Sequence, residues 1–222
     1  MDEAQWLACT DPRPMLEFLQ DRASDRKLRL FACAYCRAVR ATLDLGPGGA
    51  VAVAERYADG LASDQDLASA RRGAPFPDNY SEWVLPPSAY DGAWEGVDYL
   101  THVRDSMKID GDAWRHFPIP ADDVVRRSVL FLRDIFGNPF RAAPPPPAEV
   151  LAWNDGTVRR LAQAIYEERP LPGGPLDAAR LAILADALLD AGCEDEDLIA
   201  HCRSAGPHVR GCWAVDLILG KS

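Results

Sequence analysis

Apolar residues recur along most of this chain with the three- and four-residue spacing of amphipathic helices, and this pattern constrains the fold more than any other feature. Alternating runs rich in β-branched residues, which indicate strands, are nearly absent. Helix start signals precede several of the periodic segments, among them Asp11-Pro12 and Ser24-Asp25. The sequence therefore predicts an all-α fold, either a multi-helix orthogonal bundle or a short, solenoid-like stack of helix pairs.

Proline and aromatic residues interrupt the helical pattern in two long loops, one between Gly73 and Ser88 and one from Ile109 to Pro120. The four consecutive prolines from Pro144 to Pro147 favour extended polyproline II and are the best linker in the chain. We therefore expect an N-terminal helical part, residues 1–143, and a C-terminal helical part, residues 144–222, packed together as one compact domain.

The charge balance narrows the classes of partner. The 222 residues include 24 Lys and Arg against 34 Asp and Glu, which gives a formal net charge of −10. Nucleic-acid binding needs clustered basic residues that release counterions from phosphates, so we expect no nucleic-acid partner.

Residues 1–6 lack the features of a secretory signal peptide, and no apolar run approaches the roughly 18 residues that span a bilayer. We therefore expect a cytoplasmic location and no membrane partner.

Cysteine and histidine residues indicate a metal site. The C-terminal region holds a cluster of them: Cys193, His201, Cys202, His208 and Cys212. Cys33 and Cys36 form a Cys-x2-Cys pair, a common half-site for zinc, and the most compact second half is His208-x3-Cys212. The zinc hypothesis therefore takes Cys33, Cys36, His208 and Cys212 as ligands, with Cys202 as the substitute; the other interpretation is that the thiols are packed and no cofactor is bound.

Cys33 also lies among arginines on the helix predicted around residues 26–40. Guanidinium neighbours lower the pKa of a thiol and favour the reactive thiolate, which makes Cys33 a candidate nucleophile. In the alternative interpretation, Cys33 is a small buried residue at a helix contact, and the arginines pair with carboxylates of neighbouring helices.

A second candidate nucleophile is Cys212, because His208, Cys212 and Asp216 follow one another at four-residue spacing along one helical stripe. These residue types could supply a base, a thiol and an orienting carboxylate. The segment around them is apolar nearly all round, and no glycine-rich turn for an oxyanion hole accompanies it. The familiar catalytic motifs are also missing from the chain, so the sequence favours a non-enzymatic role.

Aromatic residues concentrate in and beside the two loops. Six of them are candidates for binding a partner protein: Tyr80, Trp83, Tyr90, Trp94, Trp114 and Phe117. Aromatic side chains contribute much of the binding energy at protein interfaces. The alternative is that these rings fold back and cover the ends of helices.

Six segments of the chain carry a resemblance to other proteins: residues 6–12, 15–19, 23–33, 132–141, 181–188 and 208–216. Together they resemble a family of uncharacterised proteins that is expanded in planctomycete bacteria. Members of this family often have a third cysteine at the position of Tyr35, so that sulfur is dispensable. The resemblance implies a bacterial, cytosolic setting and no particular activity.

Taken together, these observations predict a non-enzymatic interaction or adaptor module of the bacterial cytoplasm that binds a protein partner. The first alternative is a helical domain stabilised by zinc at a structural Cys/His site, and the second is a thiol-dependent enzyme.

Overall fold

The computed structural model describes residues 1–42, 49–73, 84, 86, 88–109, 121–141, 143–170 and 174–222. The described part contains helices and their connections and no strand, which confirms the predicted all-α fold. Its helices are α1 (Glu3–Ala8), α2 (Pro12–Leu19), α3 (Asp25–Thr42), α4 (Gly49–Ala58), α5 (Asp64–Gly73), α6 (Ala89–Ile109), α7 (Ala121–Phe136), α8 (Ala148–Glu167), α9 (Ala178–Asp190), α10 (Glu196–Arg203) and α11 (Trp213–Leu219). None of these helices combines the length and the apolarity that crossing a membrane requires. Most of the two predicted loops lies outside the described residues.

Polar caps begin helices where the sequence predicts them. The Asp11 side chain accepts a hydrogen bond from the N–H of Arg13 (3.0 Å), and Pro12 follows at the first position of α2. Ser24 Oγ accepts a weaker bond from the N–H of Lys27 (3.4 Å) at the start of α3. These caps satisfy N–H groups that have no partner within their own helix.

Helix α3 is the centre of the N-terminal half. It packs against α4, α6 and α7, and its apolar side chains, such as Phe31 and Tyr35, are almost completely buried. Helix α2 covers one side of this arrangement by packing against α6 and α7. Leu132 and Ile135 of α7 are fully buried in this core, and the neighbouring Asp134 is only 3% exposed despite its charge.

Helices α8 to α11 form a second apolar cluster, with Ile165, Leu184, Leu188 and Val215 at its centre. Helix α9 packs against α8 and α10, and α11 packs against α8. In the sequence, the residues of the first cluster precede the proline segment and those of the second cluster follow it. The exception is Val209, which follows the proline segment but belongs to the first cluster. The predicted division after residue 143 stays a prediction.

Buried ion pairs join the two halves. Arg26 at the start of α3 binds both carboxylate oxygens of Asp216 in α11 (2.7 and 3.0 Å), and Asp216 is fully buried. In a second cluster, Glu55 of α4 lies between Arg37 and Arg169, with nitrogen to oxygen distances of 2.8 to 3.1 Å. Arg26 and Arg37 of α3 thus pair with carboxylates of other helices, as the alternative interpretation of this helix expects, whereas Arg29 donates to the backbone carbonyls of Val84 and Pro86.

Candidate metal centre

Four side chains that could hold a metal ion converge where the end of α7 meets the C-terminal helices. They are Asp134, His201, His208 and Cys212, and one potential ligand atom from each lies within 4.8 Å of all the others. Asp134 comes from α7, His201 from α10, His208 from the segment that follows α10, and Cys212 caps α11. In the sequence, His201 follows Asp134 by 67 residues and His208 follows His201 by 7 residues. The four side chains therefore come together only when the chain is folded.

Three of the six distances between the donor atoms are close to those around a single tetrahedral ion, and all six are at most 4.8 Å. Asp134 Oδ1 lies 2.9 Å from His208 Nδ1 and 3.1 Å from His201 Nε2, and His201 Nε2 lies 3.2 Å from Cys212 Sγ. Zinc bonds of about 2.0–2.1 Å to nitrogen and about 2.3 Å to sulfur place tetrahedral ligands roughly 3.3 to 3.6 Å apart. A shift of a few tenths of an ångström would therefore fit these three contacts to the ion.

In His208 and in Asp134, the side-chain atom that faces away from the cluster forms a hydrogen bond with the backbone. His208 Nε2 lies 3.1 Å from the carbonyl oxygen of Ser204, a bond that requires the proton on Nε2 and leaves Nδ1 directed at the cluster. Asp134 Oδ2 accepts a hydrogen bond from the N–H of Val209 (2.8 Å), which leaves Oδ1 for the cluster. Such second bonds fix the tautomer and the orientation of metal ligands.

Local backbone geometry places Cys212 at this point. Gly211, immediately before it, has φ of +92°, a conformation that L side chains rarely adopt. A Cβ atom at Gly211 would also lie 2.9 Å from Leu30 Cδ1 in α3, so glycine allows the turn to approach that helix closely. Cys212 then stands at the start of α11 as its N-cap residue, and the nearby backbone N–H groups of Val215 and Ala214 act to lower the pKa of its thiol.

Burial and charge set the protonation of these groups in the metal-free protein. Burial raises the pKa of Cys212 well above that of an ordinary thiol, and the Asp134 charge adds to this effect. Burial opposes the ionised form of Asp134, but hydrogen bonds from His201 and His208 outweigh it and lower its pKa. Burial also works against a charged His208, yet its bond to Asp134 raises its pKa overall. Without metal, burial therefore favours the thiol form of Cys212, and the hydrogen bond between Asp134 and His208 favours the charged forms of both partners.

The geometry does not form a catalytic relay. In a cysteine, histidine and aspartate triad, the thiol and the carboxylate bond to opposite ring nitrogens of the histidine. Here Asp134 Oδ1 and Cys212 Sγ both approach Nε2 of His201. Asp216, the predicted orienting carboxylate, binds Arg26 instead of His208. The four donor atoms instead converge on one point, which is the arrangement that is typical of a metal site.

The structure brings together only part of the sequence-predicted ligand set. His208 and Cys212 lie in the cluster, whereas Cys33 and Cys36 are buried in the N-terminal core, where Cys33 Sγ lies 4.0 Å from the carbonyl oxygen of Val51. The predicted set combined these pairs because both have compact spacing, but the two cysteines face the helices packed around α3. The substitute ligand Cys202 is fully buried in the C-terminal core and is not among the converging residues.

Cys33 also differs from the reactive thiol that its arginine neighbours suggest. Burial raises its pKa well above the usual value, and the charge of Glu55 adds to this. Arg37 and Arg29 act in the opposite direction without reversing the shift. A buried, protonated thiol is a poor nucleophile.

Only two of the six predicted partner-binding aromatics lie in the described residues. Tyr90 and Trp94 of α6 stack on each other with ring centroids 6.2 Å apart, and both are half-buried against the N-terminal core. The other four, Tyr80, Trp83, Trp114 and Phe117, lie outside the described residues. A role of these rings in partner binding stays a prediction.

Two members of the cluster, Asp134 and His201, were absent from the predicted set. His201 was visible in the C-terminal group of cysteines and histidines, but it is adjacent to Cys202 and the two point about 100° apart on a helix. Asp134 could have been noticed because it stands between Leu132 and Ile135, which face the core. A carboxylate beside such residues is buried only when it is paired or binds a metal.

No family model, curated protein or solved structure matches this chain. The resemblance to planctomycete proteins therefore stays a prediction, and the geometry of the cluster carries the functional argument.

Proposed function

We propose that this protein is a zinc-stabilised helical domain in which one ion, bound by Asp134, His201, His208 and Cys212, fastens the C-terminal helices to α7. The observation that carries the proposal is the convergence of these four donor atoms within 4.8 Å of one another. A thiolate, two imidazoles and a carboxylate are all established zinc ligands. Calcium and magnesium prefer sites made of oxygen atoms alone, so this donor set favours zinc over either ion.

The composition of the site supports a structural role. Structural zinc sites have four protein ligands, whereas catalytic sites keep a position for water or substrate. Asp134, His208 and Cys212 are at most 3% exposed, and only His201, with 18% of its side chain exposed, reaches towards solvent. Four protein ligands would complete a tetrahedron in this nearly closed setting.

The position of the site explains what the ion would stabilise. Asp134 lies in the helix that packs against α2, α3 and α6, while the other three ligands belong to the C-terminal half. Because the unfolded chain does not hold these ligands together, the free energy of zinc binding would contribute directly to folding. The ion would therefore reinforce the buried ion pairs between the same two halves.

Elemental analysis of tag-free protein tests this proposal. We expect about one zinc per chain at neutral pH, and we expect a chelator to remove it and lower the thermal midpoint. Zinc should be released as the pH falls, because protons then compete for His208 and Cys212, whose pKa values are raised in the metal-free protein. Protein that contains no zinc and is not stabilised by added zinc would contradict the proposal.

A further inference from the structure

His201 differs from the other candidate ligands in how its side chain is held. Asp134 and His208 each form a second hydrogen bond with the backbone. His201 directs Nε2 at the cluster, and its Nδ1 forms no hydrogen bond with any other residue of the described ranges. Metal-binding histidines almost always donate their second N–H to a partner that fixes the ring. Another contact must therefore hold the ring of His201.

The indole ring of Trp213 supplies such a contact. Trp213 directly follows Cys212 as the first residue of α11, and its ring centroid lies 5.0 Å from that of His201. The same indole lies against Gly137, immediately after α7, where a Cβ atom would be only 3.1 to 3.3 Å from three of its atoms. Glycine therefore allows the indole to pack directly on the backbone at this point. Trp213 thus connects the end of α7 to the exposed ligand.

Helix α1 is bonded to the same end of α7. The indole N–H of Trp6, which is fully buried, donates to the carbonyl oxygen of Gly137 (3.0 Å). Arg133, the residue before Asp134, donates to three carbonyl oxygens at the C-terminal end of α1 (2.7 to 3.0 Å). Carbonyls at a helix end have no partner within the helix, so this guanidinium fixes the end of α1. Adjacent residues of α7 therefore hold α1 and contribute to the metal centre.

We propose that Trp213 is a positioning residue for His201 and that, through Gly137, docking of α1 controls retention of the ion; the inference rests on the proposed zinc site. Trp6, Trp213 and His201 line one groove, so α1 stands beside the exposed ligand. The other three ligands are at most 3% exposed, so dissociation of His201 is the step that opens the ion to solvent. Docked α1 keeps the indole against the imidazole, and displacement of α1 frees both rings.

Transfer of zinc from the loaded protein to an excess of a coloured chelator measures retention as a release rate. We expect Trp213→Ala to release zinc about 10 to 100 times faster than the wild type, the range that is usual when a residue that orients a metal ligand is lost. Trp213→Phe keeps an aromatic ring at this position and should restore most of the slow release.

Trp153→Ala is the matched control. Trp153 is half-buried against the same C-terminal core as Trp213, but it belongs to α8, which carries no ligand of the site. This variant should release zinc at the rate of the wild type. Equal release from Trp213→Ala and the wild type would overturn the inference, as would equally accelerated release from Trp213→Ala and Trp153→Ala.

Hydrogen exchange of the wild type tests the part played by α1 without any substitution. Coupling between two sites is reciprocal in binding free energy, so an α1 that strengthens zinc binding must itself be stabilised by zinc. We expect zinc to slow amide exchange in α1 more than in α5, which packs against α4 and carries no ligand of the site. Equal slowing in α1 and α5 would overturn the role of α1.

Thermal unfolding without zinc shows whether the variants are folded, and the exchange experiment decides the matter if Trp213→Ala is not. Zinc content is measured on the same samples. A wild type that binds no zinc would overturn the metal proposal and this inference together. A wild type that binds zinc, with unchanged release from Trp213→Ala, would overturn this inference alone.

Discussion

Replacing Cys212 with serine is expected to remove zinc from the purified protein and to lower its thermal midpoint by about 10 °C. A ligand present at a thousand times its Kd stabilises a protein by about 4 kcal/mol, and for a chain of this size each kcal/mol is worth roughly 2–4 °C. Serine keeps the size of the side chain but does not supply a thiolate. Elemental analysis and thermal unfolding of Cys212→Ser and the wild type measure both effects.

Cys33→Ser is the control for this substitution, because Cys33 is a comparably buried thiol in the other core. It should retain about one zinc per chain, and any loss of stability should reflect only the buried hydroxyl. Loss of zinc from Cys33→Ser as well as from Cys212→Ser would contradict the site and would favour the ligand set expected from the sequence.

Replacing Glu55 with glutamine is expected to destabilise the fold by about 3–5 kcal/mol, because it leaves two buried guanidinium groups without their carboxylate. Glu55 binds Arg37 at 2.8 and 2.9 Å and Arg169 at 2.8 and 3.1 Å, and the side chains of all three are at most 6% exposed. Urea unfolding of Glu55→Gln and the wild type measures the difference in the free energy of unfolding.

The same ion cluster should control stability in acid. Burial works to raise the pKa of Glu55, but hydrogen bonds from Arg37 and Arg169 outweigh it and lower the pKa to about 2. A lowered pKa stabilises the fold fully above the ordinary value of 4.5, and this stabilisation is lost as the pH falls towards 2. The shift corresponds to about 3 kcal/mol, so Glu55→Gln should lose this part of the dependence on pH between 4.5 and 2.

Glu168→Gln provides the surface control. Glu168 pairs with Arg180 at 2.8 Å, but the two side chains are 62% and 40% exposed. Exposed pairs of this kind contribute at most about 1 kcal/mol, so this variant should unfold almost as the wild type does. Equal effects of Glu55→Gln and Glu168→Gln would show that the buried cluster does not join the two halves as described.

The sequence predicts the fold class because helical periodicity is a local property. Apolar residues three and four positions apart must share a face, whatever lies beyond the helix, so the helical pattern of α3 is visible in the sequence. The pattern does not show that the opposite face of α3 is buried as well, where Arg29, Arg37 and Arg40 are at most 8% exposed. The cap at Asp11 depends only on its neighbours and is also predicted correctly. The short α1, which begins at a capping box formed by Asp2 and Gln5, is too brief to show a periodic pattern and was missed.

The candidate site could be predicted only in part, because its ligands meet through tertiary packing. His208 and Cys212 were identified from their spacing, whereas Asp134 lies 74 residues before His208 and has no local signal that links the two. The sequence also could not decide between His201 and Cys202, since the rotation of α10 determines which of them faces the cluster. In the structure Cys202 faces the C-terminal core and His201 faces Asp134 and Cys212.

X-ray absorption spectroscopy at the zinc edge tests the central claim most directly, because it counts the sulfur atoms bound to the ion. The site of Asp134, His201, His208 and Cys212 requires one sulfur at about 2.3 Å and three nitrogen or oxygen atoms at about 2.0–2.2 Å. Three sulfur ligands, as in a site of Cys33, Cys36, His208 and Cys212, would contradict the account. So would an ion bound only by nitrogen and oxygen, since Cys212 would then have no part in holding it.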